Sequence, residues 1–148
     1  MSPGRGGAFE LVHQGAPLGT IDYFLGPLDP LSAGNVSAFP ALEGAVHAGA
    51  PVLQITGFHS AHEHTIKGIG SALLGQLVAT AETHGCDHIV VLMGINHPVY
   101  EAFGFRLVEP ILQTWWMPTS DLKSRVGQRP VRAGIPSATR PRFREAPL

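Results

Sequence analysis

The middle of the chain contains an apolar strand, a turn with two glycines and a long helix in immediate succession. Residues 52–60 read as a strand, and Gly57 within them predicts a β-bulge. Leucine, valine and alanine recur at helical spacing from Gly70 to His84, and Gly85 follows where a helix ends. The short apolar run 89–93 then predicts a strand covered on both faces. This succession predicts an α/β domain.

The remaining patterns predict a mixed sheet of short strands. Eighteen glycines and thirteen prolines favour many turns and short elements. Further strands are predicted at 9–14, 18–25, 105–108 and 111–117, and short helices near 35–47 and 98–103. Trp115 and Trp116 are adjacent, so in a strand they face opposite ways. We expect one of them in the core, whereas the other is a candidate for the acceptor cleft or for a dimer contact.

The distribution of charge divides the chain into two parts. Residues 1–118 carry three basic and nine acidic side chains, whereas residues 119–148 carry seven basic and two acidic ones. We interpret 1–118 as one folded domain and 119–148 as a basic, proline-rich arm, extended from about residue 122. A solvated tail explains such an arm, and nucleic acid is the alternative partner.

Several classes of protein are excluded by composition. No apolar run reaches the about 18 residues that span a bilayer, so no membrane partner is expected. The first seven residues are not followed by the apolar segment of a signal peptide. Cys86 is the single cysteine, which excludes an internal disulfide and favours a small buried residue. A cytoplasmic location is the simplest prediction.

The turn before the long helix is suited to an anion. Gly68 and Gly70 let the backbone approach a ligand, and the free N–H groups at a helix start favour a phosphate. No Gly-Lys-[Ser/Thr] follows, so the segment is not a Walker loop. Leu73 occupies the third position of a dinucleotide-binding glycine motif, which excludes that motif too. A simple turn is the alternative interpretation.

Two motifs lie at a characteristic separation around this turn. The segment Thr65-Ile66-Lys67-Gly68-Ile69-Gly70 matches the register of Arg/Gln-x-x-Gly-x-Gly/Ala, and Tyr100-x-x-x-Gly104-Phe105 matches Tyr-x-x-x-Gly-Phe. These patterns resemble the GNAT acyltransferase superfamily, by motif over 51–117 and by element order over 9–50. The resemblance implies a three-layer α/β fold, in which helices flank a mixed, mostly antiparallel sheet.

The resemblance also implies a site for acetyl-CoA, or another acyl-CoA, as co-substrate. The strand before the loop would pair with the pantetheine arm through the backbone from Phe58 to Ser60. Further cofactor contacts would come from Thr65, Ile66, Lys67, Gly68, Ile69, Gly70, Ser71, Asn96 and Phe103. Tyr100 matches the tyrosine that protonates the leaving thiolate; a core tyrosine is the alternative. The acceptor would be the amine of a small molecule, which attacks the thioester directly.

The general base is the least defined part of this site. His59 is the nearest titratable side chain in the strand before the loop, and imidazole is the side-chain group that most often serves as a general base. Asp22, Glu43 and His47 are other candidates, and water alone is a further one. His59, His62, Glu63 and His64 also resemble a zinc cluster. No distant Cys/His pair completes a tetrahedral site, however, so we expect no metal.

Two departures from the family pattern leave a second interpretation open. Thr65 stands where arginine or glutamine is usual, although Lys67 could replace the charge. The region before residue 51 is short, and in the family this region shapes the acceptor site. The alternative is therefore a non-catalytic binding module that uses the basic arm. A homodimer also stays open, since a partner subunit could complete the site.

Overall fold

A computed structural model of the protein describes residues 5–13, 16–29, 34, 36–60, 69–92, 97–126 and 142–146. The strands are β1 (Arg5–His13), β2 (Ala16–Pro27), β3 (Pro51–Ser60), β4 (His88–Val91), β5 (Arg106–Glu109), β6 (Thr114–Pro118) and β7 (Arg142–Ala146). The α-helices are α1 (Pro40–His47), α2 (Ile69–Thr83), α3 (His97–Ala102) and α4 (Thr119–Val126), and a 3₁₀ turn, Val36–Ala38, precedes α1.

The seven strands form one sheet in the order β5-β6-β4-β3-β2-β1-β7. Only β3 and β4 run parallel among these neighbouring strands, and each of the other pairs is antiparallel. α2 connects the two parallel strands, because parallel neighbours require a crossover that is longer than a hairpin turn. The mixed, mostly antiparallel sheet flanked by helices is thereby confirmed.

The two faces of the sheet carry separate cores. On the first, which we call the α2 face, buried side chains of β1, β2 and β3 pack against α2 and α4, among them Ile21, Leu53, Ile55, Leu73, Leu77 and Leu122. On the second, the α1 face, α1 covers the opposite side of β3, β4 and β6, with Leu42, Val46, Val52, Val90 and Trp116 buried. Trp115 and Trp116 point to different faces as predicted, and both are buried. No helix in the described ranges is long and apolar enough to span a membrane.

The expectation of an extended chain from residue 122 is wrong for the segment that forms α4. Leu122 is fully buried and Val126 packs against the same core, so residues spaced one helical turn apart form an apolar stripe. Thr119 anchors the helix start, since its hydroxyl donates to the Cys86 carbonyl at 2.8 Å and its N–H donates to the Asp87 carbonyl at 2.9 Å. Residues 142–146 form β7 beside β1. The division into domain and arm at residue 118 stays a prediction.

The strand expected at 111–117 begins only at Thr114. Residues 110–113 form a turn, in which the Ile111 N–H donates to the Glu109 carboxylate at 3.1 Å. The Gln113 side chain donates to the Pro110 carbonyl at 2.6 Å, and Gln113 itself has a φ of 55°. These local hydrogen bonds replace strand pairing. The prediction treated apolar side chains such as Ile111 as part of a buried strand, whereas Ile111 is 89% exposed.

Candidate active site

β3 and β4 pair only along part of β3. The parallel register ends where Ile55 lies opposite Val91, and the N–H of Leu92 donates to the Ile55 carbonyl at 3.0 Å. Beyond Ile55, β3 continues to Ser60 and remains paired with β2. Within the described part of the chain, no strand lies along its other edge from Thr56 to Ser60. We call this segment the open edge of β3; its backbone can hydrogen-bond to an extended ligand.

A β-bulge marks the start of the open edge. Asp22 of β2 lies opposite Gly57, whereas the next residue, Tyr23, lies opposite Ile55, so Thr56 is the extra residue. A Cβ on Gly57 would lie 2.8 Å from Oδ2 of Asp22. Because glycine has no side chain, the Asp22 carboxylate can pack against the backbone of β3 at this position. The bulge predicted at Gly57 is confirmed.

Tyr100 lies beside the open edge on the α2 face. Its ring contacts those of Phe58, Phe105 and Trp115, with centroid distances of 6.2, 5.6 and 6.5 Å. The side chain is 3% exposed, and burial raises the pKa of its phenol to about 12. The indole Nε1 of Trp115 is buried without a hydrogen-bond partner in the described structure. An indole N–H only donates, so this buried group is a donor that the described residues leave unsatisfied.

The other candidate side chains lie on the α1 face. His59 is opposite Thr20 of β2, and Thr20 is in turn opposite Glu10 of β1. Asp22 lies two residues from Thr20 along β2, and alternate residues of a strand share a face. Its side chain is therefore on the same face as that of His59, opposite to the face on which Phe58 is buried. His59 is exposed, and both carboxylates are half-buried. The register therefore brings His59 and Asp22 together, and it adds Glu10, which the sequence analysis missed.

The structure separates the remaining predicted residues into two groups. Ile69, Gly70 and Ser71 form the first turn of α2, where backbone N–H groups have no partner within the helix. Phe103 follows α3 and is buried in the α2-face core, and Ser60 ends β3. Glu43 and His47 lie on α1. The positions Thr65, Ile66, Lys67, Gly68 and Asn96 lie outside the described residues, as do His62, Glu63 and His64.

A family model described as "Acetyltransferase (GNAT) family" matches residues 3–105, which is more than half of the chain and includes its N-terminal part. No curated protein matches the sequence.

Among solved structures, the protein is similar to FeeM, an N-acyl amino acid synthase from uncultured soil microbes. The TM-score is 0.57 at 13% identity, covering 84% of this chain and 78% of that one. AtaTR bound with AcCoA aligns at a TM-score of 0.47 and 12% identity, covering 73% of this chain and 62% of that one. The first likeness shows a shared fold, which agrees with the family match.

Proposed function

Because the chain belongs to the acetyltransferase (GNAT) family, we propose that it transfers an acetyl group from coenzyme A to the amine of a small molecule. Membership of the family establishes acyl transfer as the class of reaction. The proposal adds that the acyl group is acetyl and that the acceptor is the amine of a small molecule. The observation that carries it is the open edge of β3, with Tyr100 on one face and His59 and Asp22 on the other. A cytoplasmic location stays a prediction.

The described residues offer the backbone groups that binding of coenzyme A requires. Its pantetheine arm needs a backbone edge that is free of strand pairing, and β3 has one over Thr56–Ser60. Its pyrophosphate needs backbone N–H donors, and the first turn of α2, with Gly70, supplies them. Acetyl-CoA would supply the thioester that the amine attacks, and coenzyme A would leave as the thiol. A backbone N–H near Phe58 would polarise the thioester carbonyl.

Tyr100 acts as a hydrogen-bond donor toward sulfur in this proposal. A phenol with a pKa of about 12 stays protonated throughout the neutral range, so its O–H is always available. A thiolate, with an ordinary pKa of about 8.5, is too weak a base to take that proton completely. Tyr100 therefore stabilises the departing sulfur by a charge-assisted hydrogen bond.

His59 and Asp22 receive the acceptor amine from the α1 face. The exposed His59 imidazole can take the ammonium proton, directly or through a water molecule. Asp22 lies against the β3 backbone at Gly57 and gives this entrance negative charge. A carboxylate at the entrance attracts cationic amines and repels acceptors that carry their own carboxylate.

A matched series of amines tests this assignment. Pentylamine, norleucine and cadaverine share one carbon skeleton but carry, respectively, one ammonium group, an added carboxylate and an added ammonium group. Thiol release from acetyl-CoA should give a kcat/KM that falls from cadaverine through pentylamine to norleucine. Asp22→Asn should reduce the preference for cadaverine, whereas Asp29→Asn, an exposed control beyond the end of β2, should preserve it. A preference for norleucine would contradict the proposed acceptor class, without affecting the assignment of acyl transfer.

A further inference from the structure

Trp116 and His88 form a side-chain hydrogen bond on the α1 face of the sheet. Trp116 lies opposite Val90 in the β4–β6 register, and His88 lies two residues before Val90 on the same face. The two side chains are therefore diagonal neighbours across the strands. Nε1–H of Trp116 donates to Nδ1 of His88 at 3.1 Å, and the ring centroids are 5.9 Å apart.

The direction of this hydrogen bond fixes the protonation state of the imidazole. An indole N–H only donates, so Nδ1 of His88 has to be unprotonated to accept it. A protonated imidazole carries a hydrogen on both nitrogens and has no acceptor left. Protonation of His88 therefore leaves the indole N–H of Trp116, a side chain that is 4% exposed, without its partner. Because an unsatisfied buried donor is costly, protonation disfavours the observed position of the Trp116 ring.

Trp116 also connects the sheet to α1. Its ring packs edge to face against Phe39, the residue that precedes α1, with 5.3 Å between the centroids. In the α1-face core, Trp116 is buried together with Leu42 and Val46, the two buried residues of α1. The contacts that hold α1 on the sheet thus include the ring whose position depends on His88.

The surroundings of His88 act on its protonation in both directions. Burial favours the neutral imidazole and lowers the pKa of His88, whereas the neighbouring Asp87 opposes this by its charge. The guanidinium of Arg106 on β5 lies over the Trp116 ring, with 5.9 Å from Cζ to the centroid, and disfavours a second cation there. The other titratable groups on this face of the adjoining elements are Glu109 on β5, Glu43 and His47 on α1, and His59 near the far end of β3. Within the described ranges, none of these groups forms an ion pair with His88.

We propose that the His88–Trp116 pair is a pH-sensitive latch, which holds α1 on the sheet while His88 is neutral and loosens it when His88 is protonated. Histidine is the side chain whose charge changes between neutral and mildly acidic pH. Because folding lowers the pKa of His88, the latch is complete above pH 6.5 and opens as pH falls through the lower folded-state value. α1 has eight residues, too few for a helix that is stable alone, so its order depends on these contacts. The latch does not depend on the proposed acyl transfer.

Nuclear magnetic resonance of the full chain tests the latch at its own atoms. Between about pH 7.5 and pH 4.5, the ring signals of His88 report its protonation, and both indole N–H signals, assigned with Trp115→Phe, are followed in the same samples. The Trp116 signal should move in step with the His88 titration, whereas the Trp115 signal, on the other face of β6, should stay in place. The proposal is overturned if the Trp116 signal does not follow the His88 titration, or if His88 stays neutral throughout this range.

Amide hydrogen exchange measures the effect on α1 in the same pH range. After correction for the intrinsic pH dependence of exchange, the protection of α1 amides should fall by about 2- to 12-fold, as expected when one hydrogen bond is lost. The amides of β1, which is remote from the pair in the strand order, should keep their protection. Unchanged protection of α1 while His88 becomes protonated would overturn the link between the pair and the helix.

Two matched variants separate the latch from a general effect of acid. His88→Asn places an amide oxygen near the position of Nδ1, so it keeps an acceptor for Trp116 but does not titrate. The protection of α1 in His88→Asn should therefore be independent of pH. His84→Asn, which replaces an exposed histidine after the end of α2, should retain the pH dependence of the parent protein. A pH-dependent loss that persists in His88→Asn would overturn the proposal, since protonation elsewhere would then explain it.

Discussion

Replacing Tyr100 by phenylalanine tests the role of the buried phenol. The pKa of about 12 exceeds that of an ordinary thiol by about 3.5 units, so complete proton transfer to the thiolate would cost about 5 kcal/mol. What remains is a hydrogen bond to a charged sulfur, which contributes about 1.5–3 kcal/mol. Tyr100→Phe should therefore lower kcat about 10- to 150-fold.

The assay is steady-state release of coenzyme A thiol, with the affinity for acetyl-CoA measured in parallel by calorimetry. The affinity should change by less than about twofold, because the Tyr100 ring packs against Phe58, Phe105 and Trp115 and phenylalanine keeps these contacts. Tyr23→Phe is the matched control: Tyr23 is the other tyrosine and is buried on the same face. An unchanged kcat in Tyr100→Phe, or an equal loss in both variants, would refute the assigned role.

The same burial couples Tyr100 to stability at alkaline pH. Because folding raises its pKa from about 10 to about 12, the stability linked to the neutral phenol is complete below pH 10 and is lost as pH rises toward 12. Two pKa units correspond to about 2.7 kcal/mol. The free energy of unfolding, measured in urea, should be lower at pH 12 than at pH 8. This decrease should be smaller in Tyr100→Phe by about this amount. Equal losses in the two proteins would mean that the phenol is not desolvated.

Three other perturbations follow from the packing. Leu77→Ala removes a fully buried side chain and should lower the free energy of unfolding by about 2–5 kcal/mol in urea titrations; a loss below about 1 kcal/mol would contradict the packing. Gln54→Leu removes the donor to the Gly26 carbonyl, 3.2 Å away, and should cost about 1–3 kcal/mol by the same measurement, whereas a neutral effect would show that water replaces it. Burial lowers the pKa of His88, so its contribution to stability is present above pH 6.5 and is lost as pH falls through the lower folded-state value. Melting temperatures between pH 7 and 5 should fall less in His88→Gln than in the parent protein, and parallel curves would contradict this.

Much of the fold could be predicted because its strongest elements have simple periodicity. The helix predicted from Gly70 to His84 is α2, Ile69–Thr83, and the apolar run at 89–93 contains most of β4. Such segments are fixed by burial that the sequence shows directly. α4 was missed because its apolar positions, Leu122 and Val126, are few and stand among basic residues and nearby prolines. Its docking on α2 depends on tertiary contacts that no local pattern carries.

The candidate site was predictable only in part, for a similar reason. The motif residues Gly70 and Tyr100 were visible because glycine and tyrosine have distinct chemistry at a fixed spacing. The pairing of His59, Asp22 and Glu10 on one face depends on the β2–β3 register, which the bulge at Gly57 shifts by one residue. Gly57 indicated a bulge, but not which residues it would bring together. The burial of Tyr100, which changes its chemistry, likewise emerges only from the packed aromatic cluster.

The central claim is that the first turn of α2 and the open edge of β3 hold an acyl-CoA. Calorimetric titration with acetyl-CoA, and with free coenzyme A in parallel, tests it most directly. We predict saturable binding of both, abolished by Gly70→Glu, which places bulk and negative charge at the phosphate position. Gly44→Glu, at an exposed position on α1 with no atom within 4 Å of a Cβ, should bind as the parent protein does. Failure of the parent protein to bind either compound, or binding that survives in Gly70→Glu, would contradict the account.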